Sequence, residues 1–239
     1  MKRMATIAAL IAFGATPAVA QWAGMPVWNN PKGGTGVTID GDLGFPNTNG
    51  GKGTAYGARA TVGFANISVT AGLSNWKPDG YSSSTTSVGG TAQFKVIGGS
   101  LIPVAMNFQL GAGTASAVTS GTVTQPKITM VVAGAGISVN VPTPGLSIEP
   151  YLSLGERWNK ASGFSTQSNF GWVIGANLGF GMMGLHLAYD SQKLGGATRG
   201  IIGVGAHVAL KAPIGMKDAV ALGRAAPTGR RALFSPGDS

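Results

Sequence analysis

The sequence contains no cysteine, only 10% of its residues are charged, and no apolar run beyond its first residues is long enough to cross a bilayer as a helix. The first absence excludes a disulfide scaffold and any thiolate metal site, so stability must come from strand pairing and packing. The second removes the usual covering of a soluble surface, since ordinary domains are about 25% charged. The third excludes a helical membrane span, which needs about 20 consecutive apolar residues. In their place the chain has 40 glycines among 239 residues.

The first twenty residues, MKRMATIAALIAFGATPAVA, combine a basic start at Lys2 and Arg3, a short apolar stretch and the small-x-small triplet Ala18-Val19-Ala20. This pattern predicts a secretory signal cleaved after Ala20, with an apolar stretch too short to span. Removing Lys2 and Arg3 takes the net charge from +9 to +7. Such a charge favours anionic surfaces without specifying a fold.

From residue 35 to residue 211 the apolar residues alternate with small or polar ones at period two, which predicts strands. Ten such segments run at about 35–45, 54–64, 66–75, 88–97, 102–113, 127–141, 146–158, 168–180, 182–190 and 198–211. Short connectors at 65–66, 98–100, 142–145 and 181 alternate with longer polar ones near 46–53, 77–87, 114–126, 159–167 and 191–197. That alternation predicts an all-β fold, a closed antiparallel up-and-down transmembrane β-barrel with tight periplasmic turns and long outer loops. Ten strands place both chain ends on the periplasmic side. Counts of eight or twelve also fit if segments 35–45 and 127–141 are misjudged.

Parity alone does not say which face is inside, because a soluble lipocalin-like barrel alternates in the same way with its apolar face inward. Charge placement decides. Ile39, Leu43, Val62, Phe108, Leu110, Leu152, Leu187 and Ile202 share one face, whereas Asp40, Asp42, Arg59, Lys95, Glu149, Arg157, His186, Asp190, Arg199 and His207 take the opposite parity. An arginine or lysine facing lipid near the midplane costs about 2–4 kcal/mol, so this segregation is what lipid contact demands. The small inner face, with Gly171, Gly175, Gly179, Gly203 and Gly205, then suits a narrow lumen. Tyr56, Phe170, Trp172 and Tyr189 near the outer rim, with Phe64 and Phe180 near the periplasmic rim, are positioned as interfacial girdles. Segment 127–141 breaks the pattern, because Ile128, Met130 and Val132 are on one parity and Ile137, Val139 and Val141 on the other. A bulge near Gly134 to Gly136 would return both halves to the lipid face.

The runs Gly175-Ala176-Asn177-Leu178-Gly179-Phe180, Leu185-His186-Leu187-Ala188-Tyr189-Asp190 and Gly203-Val204-Gly205-Ala206-His207-Val208 resemble the closing hairpins of the small outer-membrane β-barrel domain family. The resemblance implies an outer-membrane location, with membrane lipid and the barrel-insertion machinery as partners. Members usually end on a strand with a terminal aromatic. Here the last strand ends Val208-Ala209-Leu210-Lys211 and a tail follows, in which Phe234 is the remaining aromatic candidate.

Four parts are therefore expected: a signal at 1–20, a periplasmic N-terminal segment at 21–34, the barrel at 35–211, and a basic, mostly disordered and flexible periplasmic tail at 212–239, with KDAVALGRA as one short helix. No phosphate loop, zinc spacing or Gly-x-Ser-x-Gly elbow occurs, so neither a cofactor nor a metal is expected, and nucleic acid is not an expected partner. Asp42 with Arg59, and Asp190 with Arg199, are candidate pairs of an electrostatic plug. The alternative is a narrow pore for anions or small neutral solutes. Some ten-stranded outer-membrane barrels are proteases that use Asp and His. His186, however, stands four residues from Asp190, about 13 Å along a strand, which keeps the two from forming a dyad directly, so no catalytic residue is assigned and an outer-membrane enzyme stands as the third reading. The Ser/Thr-rich stretches at 77–87 and 114–126 suit contact with an extracellular ligand.

Overall fold

The computed structural model describes residues 22–27, 31, 33, 35–98, 102–120 and 123–210. The expected signal at 1–20 and the tail at 212–239 lie outside the described residues. Ten strands form the wall: β1 Gly36–Pro46, β2 Thr54–Phe64, β3 Ile67–Lys77, β4 Thr85–Ile97, β5 Val104–Ala115, β6 Ile128–Val139, β7 Leu146–Ala161, β8 Gln167–Phe180, β9 Met183–Leu194 and β10 Ala197–Leu210. Val141–Thr143 continues the line of β6 beyond Asn140, and Val118–Ser120 with Val123–Gln125 makes a small hairpin in the outer loop after β5.

Each strand pairs antiparallel with its neighbours in sequence, and β1 pairs with β10 from Val37↔Leu210 to Pro46↔Ile201. The sheet is therefore closed. No edge remains to expose unpaired backbone groups, which is the condition for strands to lie in hydrocarbon. The expected count of ten strands holds.

The outer face is apolar across its middle, with Ile39, Val62, Phe108, Leu110, Leu187 and Ile202 exposed, whereas Asp42, Arg59, Arg157, Asp190 and Arg199 are buried in the lumen. A water-facing exterior would need the reverse, so this is a membrane-spanning barrel and the lipocalin-like alternative falls. Tyr56, Phe64, Phe170, Trp172 and Phe180 point outward, and Tyr189 packs against Trp172 with ring centroids 5.5 Å apart. Glu156 and Lys160 share the outward parity of β7, but they stand at its outer end, where the Ser168 hydroxyl contacts Glu156.

Three expectations need correction. First, β6 has no bulge, because its pairing with β5 and β7 runs without a shift from Ile128 to Ser138. Ile128, Met130 and Val132 face the lumen, where an apolar patch has an internal partner. The register irregularity lies instead between Lys95 and Ile97. Second, the connector expected at 191–197 shrinks to Gly195-Gly196, both at positive φ (59° and 83°), a two-residue hairpin turn that glycine adopts without strain. Third, the N-terminal segment expected at 21–34 in the periplasm is inside the barrel over residues 22–27, with Trp22, Ala23, Met25 and Val27 all 2% exposed or less. Its apolar side chains gain about 1.5–3 kcal/mol each by burial, which a periplasmic position would forgo.

Leu110, on the lipid face at the middle of β5, tests the orientation. Leu110→Arg is expected to lower stability in bilayers by about 2–4 kcal/mol in reversible denaturant unfolding, against a smaller loss for Leu110→Ala.

Candidate functional site

The lumen has two halves of different chemistry. In the outer half the N-terminal segment makes a tight turn, with the Met25 N–H donating to Trp22 O at 3.1 Å. The Ala23 N–H donates to Ser87 Oγ at 2.7 Å, and Ser74 Oγ donates to Ala23 O at 3.0 Å. Trp22, Ala23 and Met25 pack with Ala55, Trp76, Ala115, Ile128 and Ala161 of the wall, while Val27 packs with Met130, Val132, Tyr151, Val173 and Ala188. Gly44 permits the approach, because a Cβ there would collide with the carbonyl of Gly24.

Charge locks this segment to the wall. Arg157 Nη1 lies 2.7 Å from Asp190 Oδ1 and also donates to Gln192 Oε1 at 3.3 Å, while Asp190 Oδ2 accepts the Val27 N–H at 2.9 Å. Arg157 reaches from β7 to β9 over Gly171 of β8, where any side chain would meet the guanidinium. The partner of Asp190 is thus Arg157 and not the expected Arg199, which is buried beside Gln192 in the register of β9 and β10. Arg59 forms its expected pair with Asp42, Nε to Oδ2 at 2.6 Å, and its guanidinium carbon lies 5.7 Å from the Trp22 ring. It also reaches Asp40 Oδ1, with Nη2 at 3.3 Å.

Below Arg59 the lumen opens into a cavity of about 420 Å³, bordered by Asp40, Arg59, Glu149, Tyr151, His186 and His207 and reaching the rim where both ends of the wall lie. Polar pairs line this half, including Thr61 with Thr70 at 2.8 Å, Asn107 donating to Gln93 at 2.8 Å, and Ser138 donating to Glu149 at 2.9 Å. Lys95 is half-buried beside the turn between β2 and β3.

The two histidines, which the sequence offered no reason to join, meet here. His186 and His207 approach with their Nδ1 atoms 3.4 Å apart, and Asp42 Oδ1 lies 2.5 Å from His186 Nε2. His186 and Asp190 hold different partners, so no Asp–His dyad forms between them.

No protein-family model matches the chain, and no curated protein matches it. Among solved structures it is similar to the N-terminal β-barrel domain of Pseudomonas aeruginosa OprF (10% identity, 74% of this chain and 99% of that one, TM-score 0.40). It is also similar to the beta domain of the Bordetella autotransporter BrkA (10% identity, 75% and 100%, TM-score 0.45) and to the outer membrane enzyme PagL (9% identity, 72% and 99%, TM-score 0.39). The strand pairing and the apolar belt establish the architecture independently of these likenesses. The chain is a closed ten-stranded β-barrel with an apolar, membrane-spanning belt.

Arg157→Leu leaves Asp190 buried with the Val27 N–H but without its cation. It is expected to destabilise the barrel by about 3–5 kcal/mol, and adding Asp190→Asn should restore part of the loss in a double-mutant cycle of denaturant unfolding.

Proposed function

We propose that the protein is a closed structural barrel that presents its outer loops for surface contact, with its lumen sealed by its own N-terminal segment. The observation that carries this reading is the seating of Trp22 to Val27 in the outer half of the lumen, where apolar packing, three backbone contacts to Ser87, Ser74 and Asp190, and the cation–π contact with Arg59 hold it together. A solute path would have to displace all of these at once. The paired charges have the same effect, because Arg59 faces Asp40 and Asp42 and Arg157 faces Asp190.

The outer loops support the surface role. Ser82 and Ser83 both donate to Thr119 O at 3.0 Å, joining the loop after β3 to the hairpin after β5. Asn47 and Asn49 donate to Thr198 O across the closing seam. The result is a tied, hydroxyl-rich rim suited to a polar extracellular ligand.

Single-channel recording in planar bilayers tests the seal. The intact protein should show no steady conductance, and a chain lacking residues 22–31 should open stable channels while remaining a folded barrel. Steady openings of the intact protein would instead make it a narrow pore.

A further inference from the structure

We propose that Asp40, His186 and His207 form a binding site for a divalent transition-metal ion, Zn²⁺ in the simplest case, at the inner end of the periplasmic cavity. The reading of this site does not rest on the proposed seal, which it meets only at Arg59. The ligand atoms of the three residues all lie within 4.8 Å of one another, and His186 Nδ1 stands 3.4 Å from His207 Nδ1 and 3.9 Å from Asp40 Oδ1. Two Zn–N bonds of about 2.0–2.1 Å at a tetrahedral angle separate their nitrogens by about 3.3 Å, so the nitrogens are already at ligating distance.

Asp42 supplies what a metal-binding imidazole needs behind it. Its Oδ1 is 2.5 Å from His186 Nε2, so the proton belongs on Nε2 and the Nδ1 lone pair is directed toward His207 and Asp40. Asp42 is itself held by Arg59 through Nε at 2.6 Å and Nη2 at 3.2 Å. Metal, imidazole, carboxylate and guanidinium therefore form one chain of contacts. Gly205 makes the link possible, since a Cβ there would strike both His186 Nε2 and Asp42 Oδ1.

The site is reachable and its charge is suitable. Asp40, His186 and His207 all border the cavity, which gives an ion a path and leaves a coordination position for water. Asp40 and Asp42 carry two negative charges against one positive charge on Arg59, and Glu149 on the same cavity adds a third carboxylate. The imidazole planes are nearly parallel, at 9°, with centroids 5.7 Å apart, so the two Nδ1 atoms face one another edge to edge. Binding then requires His207 to swing. It is half-buried beside the cavity, whereas His186 is held by Asp42. Two imidazoles and one carboxylate with an open position suit Zn²⁺ and Co²⁺ and disfavour Mg²⁺ or Ca²⁺, which take oxygen ligands.

The full chain, without an affinity tag and folded in detergent micelles, would be freed of metal with a chelator and titrated with Zn²⁺ by calorimetry and with Co²⁺ by visible absorption. One ion per chain is expected, with tetrahedral Co²⁺ bands. His207→Ala should lower affinity at least tenfold and abolish the bands. Asp42→Asn should weaken binding by about 10- to 100-fold while keeping the stoichiometry. Barrel folding of every variant is checked by circular dichroism. Because His207 borders the cavity and is separate from the Arg59–Asp42 pair, its variant remains informative if Asp42→Asn fails to fold. Absence of saturable binding, or equal affinity in wild type and His207→Ala, would overturn the site.

Discussion

Closure of the sheet by β1 against β10 is the constraint on which everything else depends. In hydrocarbon no water can satisfy an unpaired backbone N–H or C=O, so a spanning sheet must join its own edges. The seam from Val37↔Leu210 to Pro46↔Ile201 does so. Once it is made, strand alternation sends one parity to lipid and the other to a narrow lumen. Asp40, Asp42, Arg59, Arg157, His186 and Asp190 have nowhere to go but inward, and must then find one another.

Two solutions to the resulting lumen coexist. The outer half is filled by a segment of the chain itself, which lends Trp22, Met25 and Val27 to an interior lined by Trp76, Ile128 and Met130. The half toward Val37 and Leu210 stays open and polar. At their boundary Arg59 touches Trp22 on one side and holds Asp40 and Asp42 on the other, so the seal and the histidine cluster share one guanidinium. Changes at Arg59 would disturb both, whereas His207 touches only the open half.

The wall was legible because period two and the cost of charge in lipid act residue by residue. The strand count followed from the alternating segments and their connectors, and the orientation from Asp40, Asp42 and Arg59 taking the parity opposite to Ile39, Leu43 and Ala60. The apolar inner residues Ile128, Met130 and Val132 were visible as a break in pattern, but local reasoning assigned them to a bulge, because nothing nearby indicated an apolar partner inside the lumen. That partner lies more than a hundred residues away, in a segment with no periodicity of its own. The histidines illustrate a second limit. His186 and His207 become diagonal neighbours only because the turn at Gly195-Gly196 sets the register His186↔Gly205 and Gly184↔His207. A longer connector at 191–197 left that register open, and with it the question of whether the two rings meet.

The sequence by itself determined an antiparallel barrel of about ten strands with a lipid-facing belt and an inward charged face, since alternation and charge cost are properties of each strand alone. Only the tertiary structure decided that Asp190 pairs with Arg157 across Gly171, that the N-terminal segment enters the lumen, and that two histidines meet above Asp42. These depend on register, on reach across an intervening strand and on the space that glycines leave inside the wall, quantities that exist only after the ring has closed.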